Sequence, residues 1–360
     1  MKFRRPLVVG PVFLALDLGL GCAQQAVPAP AVAVHGAGSS ALYPAASAGG
    51  LPPEPPPLPL APLTPEEQKL RGQLEKEVGA IAELGPRSLA HTWNLYSATD
   101  HLARRLEVQG HRVTRLGFPV GEEVLQNLEV VLPGKSSQTL LIAAHYDTSA
   151  ESPGANASAS GAAVLLTLAQ QLLGQQPALS VRMVWLCDEI SSEMKSTHPR
   201  GSALYAQHIQ EAQVPVVATL TLGSLGYFSE RAGSQRYPDD VLYGSERRPH
   251  FANFIAVLSN ASSNGLLEHV RPVLAAASLP VEELVLPDDS PLAAEGAQAR
   301  FWSAGLLGLA LTDTAQFRSP HYDDALDTPD KLDFDRLARV ARLLTELVSK
   351  IAGPLEARAG

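Results

Sequence analysis

The strongest constraint on this chain is a pair of uninterrupted apolar runs, each stopping abruptly in acidic or imidazole side chains. Thr139-Leu140-Leu141-Ile142-Ala143-Ala144 runs into His145-Tyr146-Asp147, and Val181 to Leu186 runs into Cys187-Asp188-Glu189. A strand wetted on one face alternates apolar and polar residues. A run without alternation suits a strand buried on both faces, in the middle of a sheet covered by helices.

The flanking pattern agrees. Thr64-Pro65-Glu66-Glu67 is a capping box with proline at the first helical position, and Leu70, Leu74, Val78 and Ile81 follow at helical spacing. Helices are then predicted over 88–108, 160–173, 201–210, 251–270 and 335–351, and strands over 112–120, 127–132, 215–222, 281–286 and 306–311. Strand and helix alternate, so the expected fold class is α/β, with a mixed central sheet sandwiched by helices in three layers. With 360 residues, 45% of them hydrophobic, there is enough apolar material for one large core or two modest ones. The net charge of −9, without a basic patch, argues against nucleic acid as a partner. Two cysteines exclude a disulfide framework and a Cys-rich zinc module.

The N-terminal 63 residues follow other rules. Lys2, Arg4 and Arg5 precede an apolar stretch from Leu7 to Leu20, 14 residues against the about 20 that a membrane span needs. Residues 1–22 therefore read as an export signal. Leu18-Gly19-Leu20-Gly21-Cys22 resembles a bacterial lipoprotein box, which would put a lipid on Cys22 and anchor the chain to the cell envelope; simple secretion is the alternative. Residues 23–63 are rich in Pro and Ala, with Glu54 the single charge after Ala26, and suit a tether. The folded body is expected over 64–357.

In open α/β sheets, sites lie at the carboxyl ends of strands. Here two buried strands end in His145/Asp147 and Asp188/Glu189, side chains of the types that bind zinc or act as a base toward metal-bound water. Polar residues simply leaving a core into solvent would give the same pattern.

Several ordered motifs narrow the choice. They are Ala144-His145-Tyr146-Asp147-Thr148, Pro153-Gly154-Ala155-Asn156 with Ser160-Gly161, Asp188-Glu189 with Gly201-Ser202, Leu225-Gly226-Tyr227-Phe228, Ser234-Gln235-Arg236-Tyr237-Pro238, Phe301-Trp302, Thr312-Asp313-Thr314-Ala315, Pro320-His321-Tyr322 and Asp327-Thr328-Pro329-Asp330. Together they resemble the secreted two-zinc aminopeptidases, the group that includes bacterial leucyl aminopeptidase, aminopeptidase Y and the related glutaminyl cyclases. The likeness spans residues 88 to 352.

What the resemblance implies is a degenerate member. Of the family's metal ligands, His145 and Glu189 remain, and Asp323 stands where a late histidine is expected. Ala157 takes the place of the bridging aspartate and Gly223 that of a further acidic ligand. Asp188 occupies the general-base position, one methylene shorter than the usual glutamate, and Asp147 the position that orients the metal-binding histidine. His198, Phe301 and Trp302 are expected to border the substrate cleft. Without the bridging carboxylate nothing holds two cations about 4 Å apart, so no cofactor is expected. The chain is then a non-catalytic pseudopeptidase that binds an unidentified peptide or protein in its cleft. The alternative is an active hydrolase with one zinc on Glu189, Asp323 and His145 or His321, and Asp188 as base.

Overall fold

The computed structural model describes residues 59–187, 189–190, 200–237, 248–287, 290 and 296–355. The export signal, Cys22 and most of the tether lie outside these residues, as do Asp188 and His198.

Among the described residues, seven α-helices and eight strands alternate. The helices are α1 (Pro65–Ala82), α2 (Thr92–Val108), α3 (Ser160–Leu172), α4 (Gly201–Glu211), α5 (Asn264–Ala275), α6 (Gly296–Ser303) and α7 (Phe334–Ala352). The strands are β1 (Val113–Val120), β2 (Glu123–Leu132), β3 (Ser136–His145), β4 (Leu179–Leu186), β5 (Val216–Leu222), β6 (Ile255–Asn260), β7 (Val281–Leu286) and β8 (Gly308–Thr312). They form one sheet in the order β1-β2-β4-β3-β5-β8-β6-β7. The central β4, β3, β5 and β8 are mutually parallel, while β2 and β6 run antiparallel to their central neighbours.

The two faces of β3 explain its continuous apolar run. Leu140, Ile142 and Ala144 face the large core shared with α1, α2, α3, α5 and α7. Leu141 and Ala143 face a smaller core with Tyr205 and Ile209 of α4 and Phe301 of α6. Strand β4 divides likewise, with Trp185 fully buried on the large-core side and its indole N–H donating to Ala162 O at 3.1 Å. The capping box of α1 forms as expected: Glu67 N donates to Thr64 Oγ1 at 3.2 Å and Thr64 N to Glu67 Oε2 at 2.8 Å.

Two expectations need correction. The stretch 251–270 is not one helix but β6, a 3-10 turn at Ala261–Ser263 and α5. All six residues of β6 are buried, so its run carries neither period, and Asn260 ends it by accepting from Ser263 N at 3.0 Å as a cap. Helix α6 was not expected, and β8 starts at Gly308 rather than at 306.

Candidate functional site

Register brings the strand ends together. His145 pairs with Leu186 across β3 and β4, and Ala144 pairs with Leu222 across β3 and β5. Gly223 therefore follows level with His145, and Glu189 lies three residues past the end of β4. The polypeptide thus gathers His145, Glu189 and Gly223 at the carboxyl ends of the central strands, where open α/β folds carry their sites.

The position expected for a bridging ligand, Ala157, lies in an unusual turn. Gly154 takes φ +60°, where an added Cβ would meet Thr148 Cγ2 at 2.3 Å, and the chain enters a single π-helical turn, Ala155–Ala159, before α3. Such turns are rare and frequent at functional sites. Ala157 sits in it, 1% exposed, and offers a methyl group. At Gly223 an added Cβ would find Thr312 Oγ1 at 3.5 Å, ordinary contact, so space for a side chain exists although no donor is present.

Two of the remaining candidates, His145 and Glu189, are engaged by protein groups, whereas the buried Oδ1 of Asp323 has no hydrogen-bond partner among the described residues. His145 Nδ1 lies 3.3 Å from Asp147 Oδ1, and Asp147 Oδ2 accepts from Ile190 N at 2.7 Å. Burial disfavours the charged ring of His145, but the hydrogen bond and charge of Asp147, with Glu189, outweigh it and hold the pKa above the ordinary histidine value. Glu189 turns to the start of α4, accepting from Ser202 N at 2.6 Å and Ser202 Oγ at 2.8 Å. Burial and the nearby Asp147 push its carboxyl up to about 7 despite those bonds. Asp323 has φ +61°, its carbonyl accepts from Ser149 Oγ at 3.4 Å, and burial raises its pKa. His321 Nδ1 lies 3.8 Å from Asp324 Oδ2.

Two expected cleft residues lie elsewhere. Phe301 is fully buried against Leu141, Val184 and Tyr205 and has no surface to give a ligand. Trp302 packs against the cluster of Phe254, Ala256 and Leu284, and its indole N–H donates to Gly308 O at 3.1 Å. Gly308 opens β8, at the end of that strand away from the site.

Beneath these positions runs a polar network whose roles were not foreseen. Arg87, fully buried, donates to the carbonyls of Tyr146 (2.7 Å), Ile81 (3.2 Å), Gly85 (2.9 Å), Pro153 (2.7 Å) and Gly154 (3.4 Å) and to Ser158 Oγ (2.8 Å). It ties the end of α1 to the loop after β3. The Asn156 side chain donates to Asp313 Oδ2 and accepts from Gly226 N, both at 2.8 Å, while the Asp327 carboxylate accepts from Asn156 N at 2.7 Å and Ala157 N at 3.0 Å. The signals available were Gly85-Pro86-Arg87 after α1 and the acids of Thr312-Asp313 and Asp327-Thr328-Pro329, but a sequence does not show which acids turn inward.

A pair of zinc ions does not fit this donor set. Each would need about three protein ligands, and at the positions that the resemblance assigns to the bridging and late acidic ligands the chain has Ala157 and Gly223. Among the described residues, no group of three or more His, Cys, Asp or Glu side chains could hold a metal ion. No helix among them is long and apolar enough to cross a membrane.

Comparison with known proteins assigns the scaffold. The uncharacterized protein YfbL of Escherichia coli (strain K12) is 28% identical over 278 residues, 74% of this chain and 84% of YfbL. The LapA aminopeptidase of Legionella pneumophila superposes with a TM-score of 0.60 at 16% identity, covering 81% of this chain and 74% of LapA. The glutaminyl cyclase of Porphyromonas gingivalis gives 0.58 at 16%, covering 78% and 98%. At such identities the two structures speak for the fold alone. Residues 127–348 match the peptidase family M28 along more than half of the sequence, and the chain belongs to that family.

Proposed function

We propose that this M28 member binds a peptide or protein segment in its cleft without cleaving it. One observation carries the reading: at the strand ends that would hold two metals, Ala157 and Gly223 supply no donor, while Glu189 is engaged by Ser202 and His145 by Asp147. The similarity in fold to proteins named an aminopeptidase and a glutaminyl cyclase supports a peptide as the class of ligand. The one-zinc hydrolase is disfavoured, because the carboxylate of its ligand Glu189 is already taken by Ser202 N and Ser202 Oγ at the start of α4.

Elemental analysis of the purified protein, beside turnover of a panel of aminoacyl-anilides, tests this. The expected result is substoichiometric zinc and no turnover. Stoichiometric zinc with chelator-sensitive turnover would overturn it.

The N-terminal sequence supports an exported protein with a lipid on Cys22 and a Pro/Ala-rich tether over 23–63. Metabolic labelling with a fatty acid, lost in Cys22→Ala, is the expected outcome. An unlabelled protein in the medium would favour secretion.

A further inference from the structure

Asp327 and Asp313 are buried carboxylates, 2% and 0% exposed. Among the described residues, every hydrogen-bond donor to them is neutral: Asn156 N and Ala157 N for Asp327, and the Asn156 side chain, Tyr227 N and Ala315 N for Asp313. Two negative charges thus flank one residue, Asn156, which gives its backbone N–H to Asp327 and its side-chain amide to Asp313. Arg87 faces Asp327 and Arg318 faces Asp313, but neither donates a hydrogen bond to them, so burying the Asp327 charge stays costly and the cost falls when it takes a proton.

The placement of Asp327 gives that proton a mechanical role. Its carboxylate and its carbonyl, which accepts from Ala155 N at 3.0 Å, fasten the loop between β8 and α7 to the π-helical turn. The same loop carries His321 and Asp323 at the strand ends.

We propose that Asp327 is a proton-tightened latch, closing the loop that bears Asp323 onto the π-helical turn in mild acid and loosening it above neutrality. The charged groups around it are Asp313 beyond β8, Asp323 on its own loop, and Arg87 after α1, which also faces Asp147. The acids favour proton uptake and Arg87 opposes it. Burial dominates, raising the Asp327 pKa from 3.8 to about 6 against its two backbone bonds.

The sign follows from linkage. The closed loop binds the proton more tightly than an open loop with Asp327 in water, so proton uptake favours closure, and closure weakens as pH rises from about 4 through about 6. Between pH 5 and 7.5 the opening equilibrium shifts about tenfold. That the latch gates a ligand rests on the binding reading above; the movement itself does not.

Amide hydrogen exchange on the full protein, corrected for intrinsic chemistry, separates the two. Protection of Ala155, Asn156 and Ala157 is expected to be about tenfold higher at pH 5 than at pH 7.5, with the β3 amides Leu141–Ala143 changing less than about twofold. Asp327→Asn, which mimics the protonated form, should remove the pH dependence. Unchanged or reversed protection, or an equal change in β3, would overturn the latch. If Asp327→Asn does not fold, carbon-13 titration of the wild-type carboxyls decides: an Asp327 midpoint near 6 supports the latch, and one near 4 overturns it.

Discussion

The strand ends and the layer directly beneath them have the same backbone neighbourhood and opposite states. Above, the positions that the resemblance assigns to metal ligands carry a methyl at Ala157, a hydrogen at Gly223, and a histidine and a glutamate occupied by Asp147 and Ser202. Below, Arg87 satisfies six acceptors, and Asn156 links the donors and acceptors of Gly226 and Asp313. Folding requires buried polar groups to be paired, whereas metal ligands are required only by a metal. The lower layer is therefore expected to carry more of the stability than the upper one.

That contrast can be broken at either level. Arg87→Met would leave its buried acceptors unpaired and should cost about 4 kcal/mol in urea unfolding; a loss under about 1 kcal/mol would show that the lower layer is dispensable. Ala157→Asp places a carboxylate in a 1% exposed position beside Asp327 and should cost about 2–3 kcal/mol. Combined with Gly223→Glu, Asp323→His and Asp188→Glu, that loss should be recovered on adding zinc, read as a raised melting temperature. No zinc uptake by the fourfold variant would mean that the upper layer has moved as well as changed. Ser202→Ala removes one of the two bonds to Glu189 and should cost about 1 kcal/mol. The smallest effect belongs to zinc on the unaltered protein, a melting shift under about 1 °C; a rise of several degrees would signal a site on the native side chains.

The strand ends were legible because a strand buried on both faces leaves an unbroken apolar run, and the chain order of the motifs placed His145 and Glu189. Helix and strand separate less well where burial is complete. Residues 254–258 are apolar without a break, and only the cap at Asn260 distinguishes β6 from α5. Phe301 was misread because a motif aligned beside a cleft does not say which way a side chain points, and here it fills the core against α4. Arg87, Asp313 and Asp327 were invisible as a network, since their partners lie up to 171 residues away in sequence.

Helix α3 starts so close to β5 that a Cβ on Gly161 would meet Gly223 O at 2.7 Å. Glycine alone permits that contact, so helix and strand are joined there backbone to backbone. The spacing between helix and strand at this end of the sheet is therefore set by main chain alone, whichever side chains stand above it.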